Sequence, residues 1–247
     1  MLKLISIFFW IGLWCILSFL YDLKSMLLPD FLSTTTSSIE LLHNKEFIHH
    51  LFVTFSRVIP GNFISIIFGV PLGISLSLYP CIRLLFEPML SFIRGVPVAA
   101  LFPVVIILFG IGEVARTFLV FYVALPIVIT SAMYGAVERP ENSGRRHYLK
   151  IHSKNIASWH MPLCLLWDAL PSIFGGLKIA VSLSLAIIIV SEMFFVGGSG
   201  VGWYAWNEYQ AFNLSKMYAS IFIIGIMSVT LNKTLDIMKT TVEKLSR

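Results

Sequence analysis

The sequence predicts an all-α membrane protein, a polytopic bundle of about six transmembrane helices. The 247 residues are 57% hydrophobic and only 13% charged, whereas soluble domains carry about 25% charged residues. The apolar runs reach the roughly 20 residues that a helix needs to cross a bilayer core. They are too long for the strands of a membrane barrel, roughly 10 residues each, and they do not alternate between apolar and polar residues.

The apolar runs also set the order of the predicted spans. These spans cover residues of about 4–21, 57–79, 95–112, 117–137, 173–197 and 217–236. Pro97 and Pro103 lie inside the third, which we therefore expect to be broken. The sequence after the first span, Ser18-Phe-Leu-Tyr-Asp, has no small-residue cleavage site. We expect the first span to be kept as a helix and not removed as a signal peptide.

The distribution of charge predicts the orientation of the chain. With a cytoplasmic N-terminus, the inside segments are the start, residues 80–94, residues 138–172 and the tail. These segments contain eleven lysines and arginines, against four in the outside segments. This positive-inside bias predicts that the protein lies in a bacterial inner membrane with both termini on the cytoplasmic side. The net charge of +5 therefore reflects topology, and we expect no nucleic-acid partner.

The outside segment 22–50 contains the run STTTSSIELL, which starts at Ser33. A serine followed by this pattern is typical of a helix N-cap and a short amphipathic helix. We expect this helix to act as a spacer or a lip at the outer surface.

Neither cysteines nor histidines predict a metal or catalytic site. The three cysteines are far apart, and the histidines fall in aqueous loops or at the edges of spans. His49 and His50 are adjacent, but no acidic residue or cysteine lies at ligand spacing from them. An intramembrane enzyme needs paired His, Asp, Glu or Cys residues inside its spans, and the sequence offers no such pair. We expect a protein that is not an enzyme.

A glycine-rich stretch, VGGSGVGWYAW, follows the fifth span from Val196. It fits a relaxed dinucleotide-binding fingerprint, but that site needs a preceding strand and an acidic residue about 20 positions on. A membrane helix precedes the glycines here, so the match is due to chance. Glycine permits positive φ and close approach of the backbone, which predicts a sharp turn at the outer surface. We expect the aromatic residues after it at the membrane interface: Trp203, Tyr204, Trp206 and Tyr209.

Glu192 lies inside the fifth span, shortly before this turn. An ionisable residue at lipid depth usually faces the bundle interior or water. Two interpretations stay open: a part in a gate, or a carboxylate held by hydrogen bonds between packed helices. Lys178, at the other end of the same span, is expected to extend its ammonium to the inner surface.

The inside segment 138–172 is long, polar and basic. It leads back into the membrane through Pro171, which fits the first turn of a helix. A helix connection can be far shorter than this segment. We therefore favour a docking element over a solvated linker.

Three longer motifs carry a family resemblance: RVIPGNFISIIFGVPLGISLSL from Arg57, EPMLSFIRGVPVAALFPVVIILFGIGEVART from Glu87, and ALPSIFGGLKIAVSLSLAIIIVSEMFFVGGSGVGWYAWN from Ala169. They resemble the transmembrane permease subunits of ATP-binding-cassette (ABC) importers, in the branch associated with nitrate, sulfonate, taurine and bicarbonate uptake. The resemblance covers roughly residues 50–240. It implies a type I importer fold, with a first helix and outside loop in residues 1–50 and a permease core in residues 51–247.

The resemblance also implies partners and site residues. A homodimer would bind two cytoplasmic ATPase subunits, which bind the ATP, and an extracytoplasmic solute-binding protein; the chain itself needs no cofactor. Glu192, Gly198, Gly200 and Gly202 would lie near the translocation pathway or its outer gate. Contact with the ATPase would fall to Glu141, Arg145, Arg146, His147, Lys150, Ser153, Lys154, Asn155, Ala157, Ser158 and Trp159.

The inside segment departs from the family pattern. It lacks the Glu-Ala-Ala sequence, for which Glu141-Asn-Ser or HYLKIHSKNIASW must stand in. Ser153 or Lys154 takes the place of a glycine, and Trp167 that of a proline. These differences fit a particular ATPase, weak coupling or a degenerate permease.

The solute is open between a small solute such as a sulfonate, nitrate, taurine or bicarbonate, and a pyrimidine-type thiamine precursor. No span carries a cluster of cationic residues that predicts an anion site. The alternative mechanism is a secondary active transporter. Such a carrier needs several membrane carboxylates for its ion relay, and only Glu192 lies well inside a predicted span. A carrier also does not need a large docking segment.

Overall fold

The computed structural model describes residues 9, 12–16, 18, 28–137, 160–195 and 198–245. Within these ranges every regular element is helical, which confirms the predicted all-α class. The helices are α1 (Phe31–His43), α2 (Lys45–Leu78), α3 (Pro80–Gly95), a 3-10 turn (Val98–Leu101), α4 (Phe102–Phe109), α5 (Glu113–Val137), α6 (His160–Phe194), α7 (Val201–Gln210) and α8 (Leu214–Leu245).

Four of these helices are long and apolar enough to cross a membrane: α2, α5, α8 up to Val242, and α6 from Pro162. A fifth span results if α3 and the segment Val98–Phe109 count as one broken span. Four of the six predicted spans therefore have a counterpart among the described residues, and five have one if this bent pair is a single span. The predicted first span at about 4–21 lies mostly outside the described residues, although residues 12–16 are helical.

The helices bend by 85° between α3 and the segment Val98–Phe109, so the helical path breaks at Pro97, near the start of the predicted third span. Val96 has an extended ψ of 120°, which is the conformation that a following proline imposes. Residues 80–94, predicted as an inside connection, form most of the helix α3. Pro80 occupies the first turn of α3, and Arg83 pairs with Glu87 one turn later at 2.8 Å.

Helix α6 extends from His160 to Phe194, so it begins well before the fifth span predicted at 173–197. Pro171 lies inside this helix and not in its first turn. An interior proline removes one backbone hydrogen bond, but apolar packing on both sides of Pro171 holds the helix together. Leu166 before it and Ile173 after it belong to the same hydrophobic cluster.

The predicted outer helix exists as α1, but Ser33 is not its N-cap. The helix begins two residues earlier, after Asp30. Ser33 lies in the first turn, where its hydroxyl donates to the carbonyl of Asp30 at 2.8 Å.

The chain forms two compact units, whose boundaries fall inside α2, α6 and α8. The first unit comprises residues 1–55 and 189–227, and the second comprises residues 56–188 and 228–247. The first unit has a hydrophobic core from α1, the start of α2, α7 and the start of α8. Its buried members are Leu41, Phe47, Val201, Tyr204, Ala219 and Ile223.

The second unit packs α2, α5 and α6 closely against one another. An added Cβ on Gly73 of α2 would meet the Ile129 carbonyl oxygen of α5 at 2.5 Å, so only a glycine lets these backbones approach. Polar pairs join α6 to α8 in the same unit. Lys178 donates to Asp236 at 2.6 Å, so its ammonium has a carboxylate partner within the protein.

The two adjacent glycines of α6 provide a test of this packing. A Cβ on Gly176 would collide with the Ser131 side chain, whose own Cβ lies 2.5 Å away, whereas a Cβ on Gly175 would meet nothing within 4 Å. We expect Gly176→Ala to destabilise the protein by about 1–3 kcal/mol through overpacking. Gly175→Ala should be neutral or stabilising by up to about 1 kcal/mol, because alanine favours a helix over glycine. Thermal unfolding in mild detergent measures both. Equal effects of the two substitutions would contradict the α5–α6 contact.

Candidate functional site

The side chain of Glu192 is fully buried in the first unit, with an exposed fraction of 0%. Its Oε2 accepts the backbone N–H of Gly202 at 3.0 Å. The Thr54 hydroxyl donates to the same carboxylate and lies 3.0 and 2.9 Å from its two oxygens. A buried carboxyl group needs such donors because it has lost its water. Glu192 thus connects the end of α6 to α2 and to the start of α7.

The first amides of α7 donate to a row of three side chains. Gly200 N–H donates to His50 Nδ1 at 3.0 Å, and Val201 N–H donates to the Thr54 hydroxyl at 2.8 Å. Gly202 N–H follows with its bond to Glu192. The first amides of a helix have no partner within the helix, and a negative charge near them is favoured by the helix dipole. His50, Thr54 and Glu192 therefore act together as a cap, which we call the α7 cap.

The glycines before α7 differ in what they do. Gly200 has a φ of 107°, and an added Cβ would collide with the Glu192 carboxylate. A Cβ on Gly202 would collide with the Ile189 carbonyl. Gly198 has a φ of 60°, but nothing lies within 4 Å of where its Cβ would stand. Of the four residues predicted at the gate, the structure thus brings Glu192, Gly200 and Gly202 into contact, whereas Gly198 only shapes the turn.

Aromatic rings surround the α7 cap inside the first unit. The His50 ring lies 5.4 Å from Trp203 and 5.7 Å from Tyr204, and Tyr204 contacts Phe47 at 5.0 Å. Tyr204 is buried, so its ring packs against protein; its predicted depth at the membrane interface stays a prediction. Burial raises the pKa of the Tyr204 phenol above its usual range, and the nearby Glu208 raises it further. The phenol therefore stays neutral.

Sequence reasoning missed two members of the α7 cap. His50 was expected in an aqueous loop, but it is 4% exposed and belongs to α2. Thr54 follows it by one helical turn, so both residues lie on one face of α2. The signal was obscured because the second span was predicted to start at Arg57 and not at Lys45.

The second unit holds a charged cluster of Arg57, Glu113 and Arg116. Arg57 donates through Nε at 2.9 Å to Oε2 of Glu113 and through Nη2 at 2.7 Å to Oε1. Arg116 donates to Oε1 at 2.8 Å. The two arginine side chains are only 6% and 4% exposed, whereas that of Glu113 is 61% exposed. Two buried arginines thus share the carboxylate of Glu113, a residue whose side chain is largely exposed.

This cluster corrects the expectation that no span carries grouped cations. Arg116 was counted as a loop charge, but it lies in the first turns of α5. Arg57 lies inside α2 and not at its start. The separation of 59 positions in the sequence concealed their common partner. Glu113 is the first residue of α5 and precedes Arg116 by one helical turn. Its carboxylate also accepts a hydrogen bond from Arg57.

Comparison with known proteins agrees with the three sequence motifs. No family model matches the chain. The bicarbonate transport system permease protein CmpB of Synechococcus elongatus is 30% identical over 179 residues, which are 72% of this chain and 63% of CmpB. The taurine transport system permease protein TauC of Escherichia coli is 26% identical over 74% of this chain and 65% of TauC. The chain is therefore similar to the permease subunits of ABC importers.

Such permease subunits are not enzymes themselves. The chain aligns with less than two thirds of the length of CmpB and TauC. Its fold resembles a chain of the MetNI methionine ABC transporter in an inward-facing conformation. The two superpose with a TM-score of 0.67 at 16% identity, over 79% of the permease and 95% of that chain. This likeness confirms the predicted importer-permease fold.

The residues predicted to contact an ATPase lie outside the described residues. They comprise Glu141, Arg145, Arg146, His147, Lys150, Ser153, Lys154, Asn155, Ala157, Ser158 and Trp159. Their role stays a prediction. Trp167, which takes the place of a family proline, lies in α6 and is partly exposed.

The glycine turn of the permease can be tested with two alanine substitutions. Gly200→Ala forces a methyl group into the Glu192 carboxylate and adds strain at positive φ, so we expect a loss of more than about 3 kcal/mol of stability. Gly198→Ala meets only the strain of positive φ, roughly 1–2 kcal/mol. Thermal unfolding of both variants in detergent gives the comparison. A Gly198→Ala loss as large as that of Gly200→Ala would show that the contact with Glu192 is not what requires glycine.

The hydroxyl of Thr54 can be tested separately. Thr54→Val keeps the shape but leaves Val201 N–H and Glu192 without this partner, at a cost of about 1–3 kcal/mol. Thr54→Ser keeps the hydroxyl and should retain most of the stability. Hydrogen–deuterium exchange of a peptide that covers residues 198–206 should rise in Thr54→Val and not in Thr54→Ser. Unchanged exchange in Thr54→Val would exclude Thr54 from the α7 cap.

Proposed function

We propose that the chain is the transmembrane subunit of an ATP-driven importer and that it moves a small anion into the cell. The observation that carries the proposal is the similarity to CmpB and TauC, whose names assign them to bicarbonate and taurine transport. The MetNI-like fold supports the same class of assembly. In this proposal both termini lie in the cytoplasm, as the distribution of lysine and arginine predicts.

The proposed assembly has two copies of the permease around one pathway, with two ATPase subunits on the cytoplasmic side. A solute-binding protein delivers the anion from outside. The segment around Trp159 contacts the ATPase and transmits its closure to the helices. The pathway then alternates between inward-open and outward-open states.

The α7 cap is proposed as a part of the outer gate. It ties the start of α7 to α2 and to the end of α6 through backbone amides. These bonds fix the turn before α7 as one rigid piece of the first unit. We propose that this turn moves with the helices to which it is bonded and does not open independently.

Capture of the ATPase tests the proposal. The tagged permease, purified in mild detergent from its own membranes, should bring down an ATP-binding subunit and show ATP hydrolysis. Trp159→Ala should remove that subunit because it deletes a large contact side chain. Trp206→Ala is the matched control. Trp206 lies in α7, where its ring contacts Phe194 at 6.0 Å and Tyr209 at 5.4 Å.

The control variant should retain the ATPase. Retention of the ATPase by Trp159→Ala would exclude this segment as the coupling element. An absence of any ATPase, together with uptake driven by an ion gradient alone, would contradict the importer proposal.

A further inference from the structure

We propose that Arg57 and Arg116, with the cavity beside Glu113, form a binding site on the permease itself for a small organic monoanion. The ligand has a carboxylate or sulfonate head and a short apolar body. The proposal deepens the proposed function and rests on it, since it names the class of solute. The site is distinct from the α7 cap, which lies in the other unit.

The head of the ligand is defined by how Arg57 holds Glu113. The guanidinium presents Nε and Nη2 side by side to the two carboxylate oxygens, at 2.9 and 2.7 Å. This fork suits any group with two oxygens at the spacing of a carboxylate or a sulfonate. Glu113 thus occupies the position of the head, and the ligand takes its place.

The exchange is inexpensive because only Glu113 has to move. Its side chain is 61% exposed, whereas the arginine side chains are 6% and 4% exposed. When Glu113 swings out, its carboxylate passes from a half-exposed position into water. The two buried arginines keep one anion between them, so their charge balance does not change.

The body of the ligand is defined by the adjoining cavity. Its volume is about 380 Å³, which lies within the range of small-molecule sites. The wall is apolar except for Glu113 and Thr117, with Phe109 and Phe118 in contact at 4.8 Å. Its other lining residues are Ile64, Val114 and Phe121. The arginines lie behind Glu113 and not in this wall.

The apolar wall separates two kinds of anion. Each methylene group buried against it should strengthen binding about fourfold. Nitrate and bicarbonate have no apolar part and gain nothing from the wall. The structure thus favours an organic sulfonate or carboxylate.

A purely structural role for the charged cluster is the alternative. The same ion pairs could serve only to fix the turn between α4 and α5. In that case the cavity is unused, no anion competes with Glu113, and removal of the Glu113 charge weakens the protein without creating affinity for anions.

Thermal unfolding of the purified permease, without any ATPase, distinguishes the two roles. The probes are 1-butanesulfonate, methanesulfonate, nitrate and chloride, titrated at constant ionic strength. Butanesulfonate should raise the unfolding temperature, with an apparent affinity about fiftyfold above that of methanesulfonate, because it buries three more methylene groups. Nitrate, which gains nothing from the apolar wall, should bind no more tightly than methanesulfonate, and chloride, which has no pair of oxygens for the Arg57 fork, should have no specific effect.

Two matched variants identify the competitor. Glu113→Gln keeps the shape of the side chain but removes its charge, so butanesulfonate should bind at least about tenfold more tightly. Glu87→Gln removes the charge of a carboxylate that pairs with Arg83 on α3. It should leave butanesulfonate binding unchanged. Equal tightening in both variants would show a general effect of charge and overturn the site.

Two further results would overturn the proposal. One is equal stabilisation by all four anions, and the other is unchanged butanesulfonate binding in Glu113→Gln. If Glu113→Gln does not fold, Phe118→Ala in the natural background decides. It should weaken butanesulfonate binding and leave methanesulfonate unaffected, and any other pattern excludes the cavity.

The outcome is separable from that of the proposed function. A permease that captures its ATPase but binds no butanesulfonate would overturn only the site. A permease that binds butanesulfonate but captures no ATPase would retain the site and lose the importer proposal.

Discussion

The free amides at the start of α7 set the constraint on which the first unit depends. A helix that starts in a buried position presents N–H groups that no intrahelical carbonyl can accept. Here three successive amides find His50, Thr54 and Glu192. The same bonds supply the donors that a buried carboxyl group requires. One set of contacts therefore provides acceptors for the amides and donors for the carboxyl group, and it joins α2, α6 and α7 within that unit.

The second unit contains a different solution to buried charge. Arg57 and Arg116 are nearly inaccessible, and the carboxylate that serves both is largely exposed. Burial of an ion is tolerable only with a partner, but nothing requires that partner to be permanent. An exposed partner that lines an apolar cavity can be replaced by a ligand with the same chemistry. This asymmetry of exposure distinguishes the cluster from the pair of Arg83 and Glu87, in which both side chains are partly exposed.

Most of the fold could be predicted from the sequence, because length and apolar content decide whether a helix can cross a membrane. The exact starts of helices could not. Polar residues such as His50 and Thr54 reduced the apolar signal of the first turns of α2, although both are buried. Pro171 suggested a helix start, yet packing on both sides of it keeps α6 continuous.

The sites were harder to predict than the helices. Glu192 and two of its glycines could be found because an acid and a glycine cluster are rare near a span. Thr54 could not, since its role depends on a contact 138 positions away. The pairing of Arg57 with Glu113 spans 56 positions in the chain, and no local pattern indicates which charges meet.

The absence of a side chain at Gly200 has a consequence for how the permease can vary. The volume that an alanine methyl group would need there is filled by the Glu192 carboxylate. The two positions therefore share one space, and the residue allowed at either depends on the other. A larger residue at position 200 requires a shorter one at position 192, and it would still carry the strain of a φ of 107°.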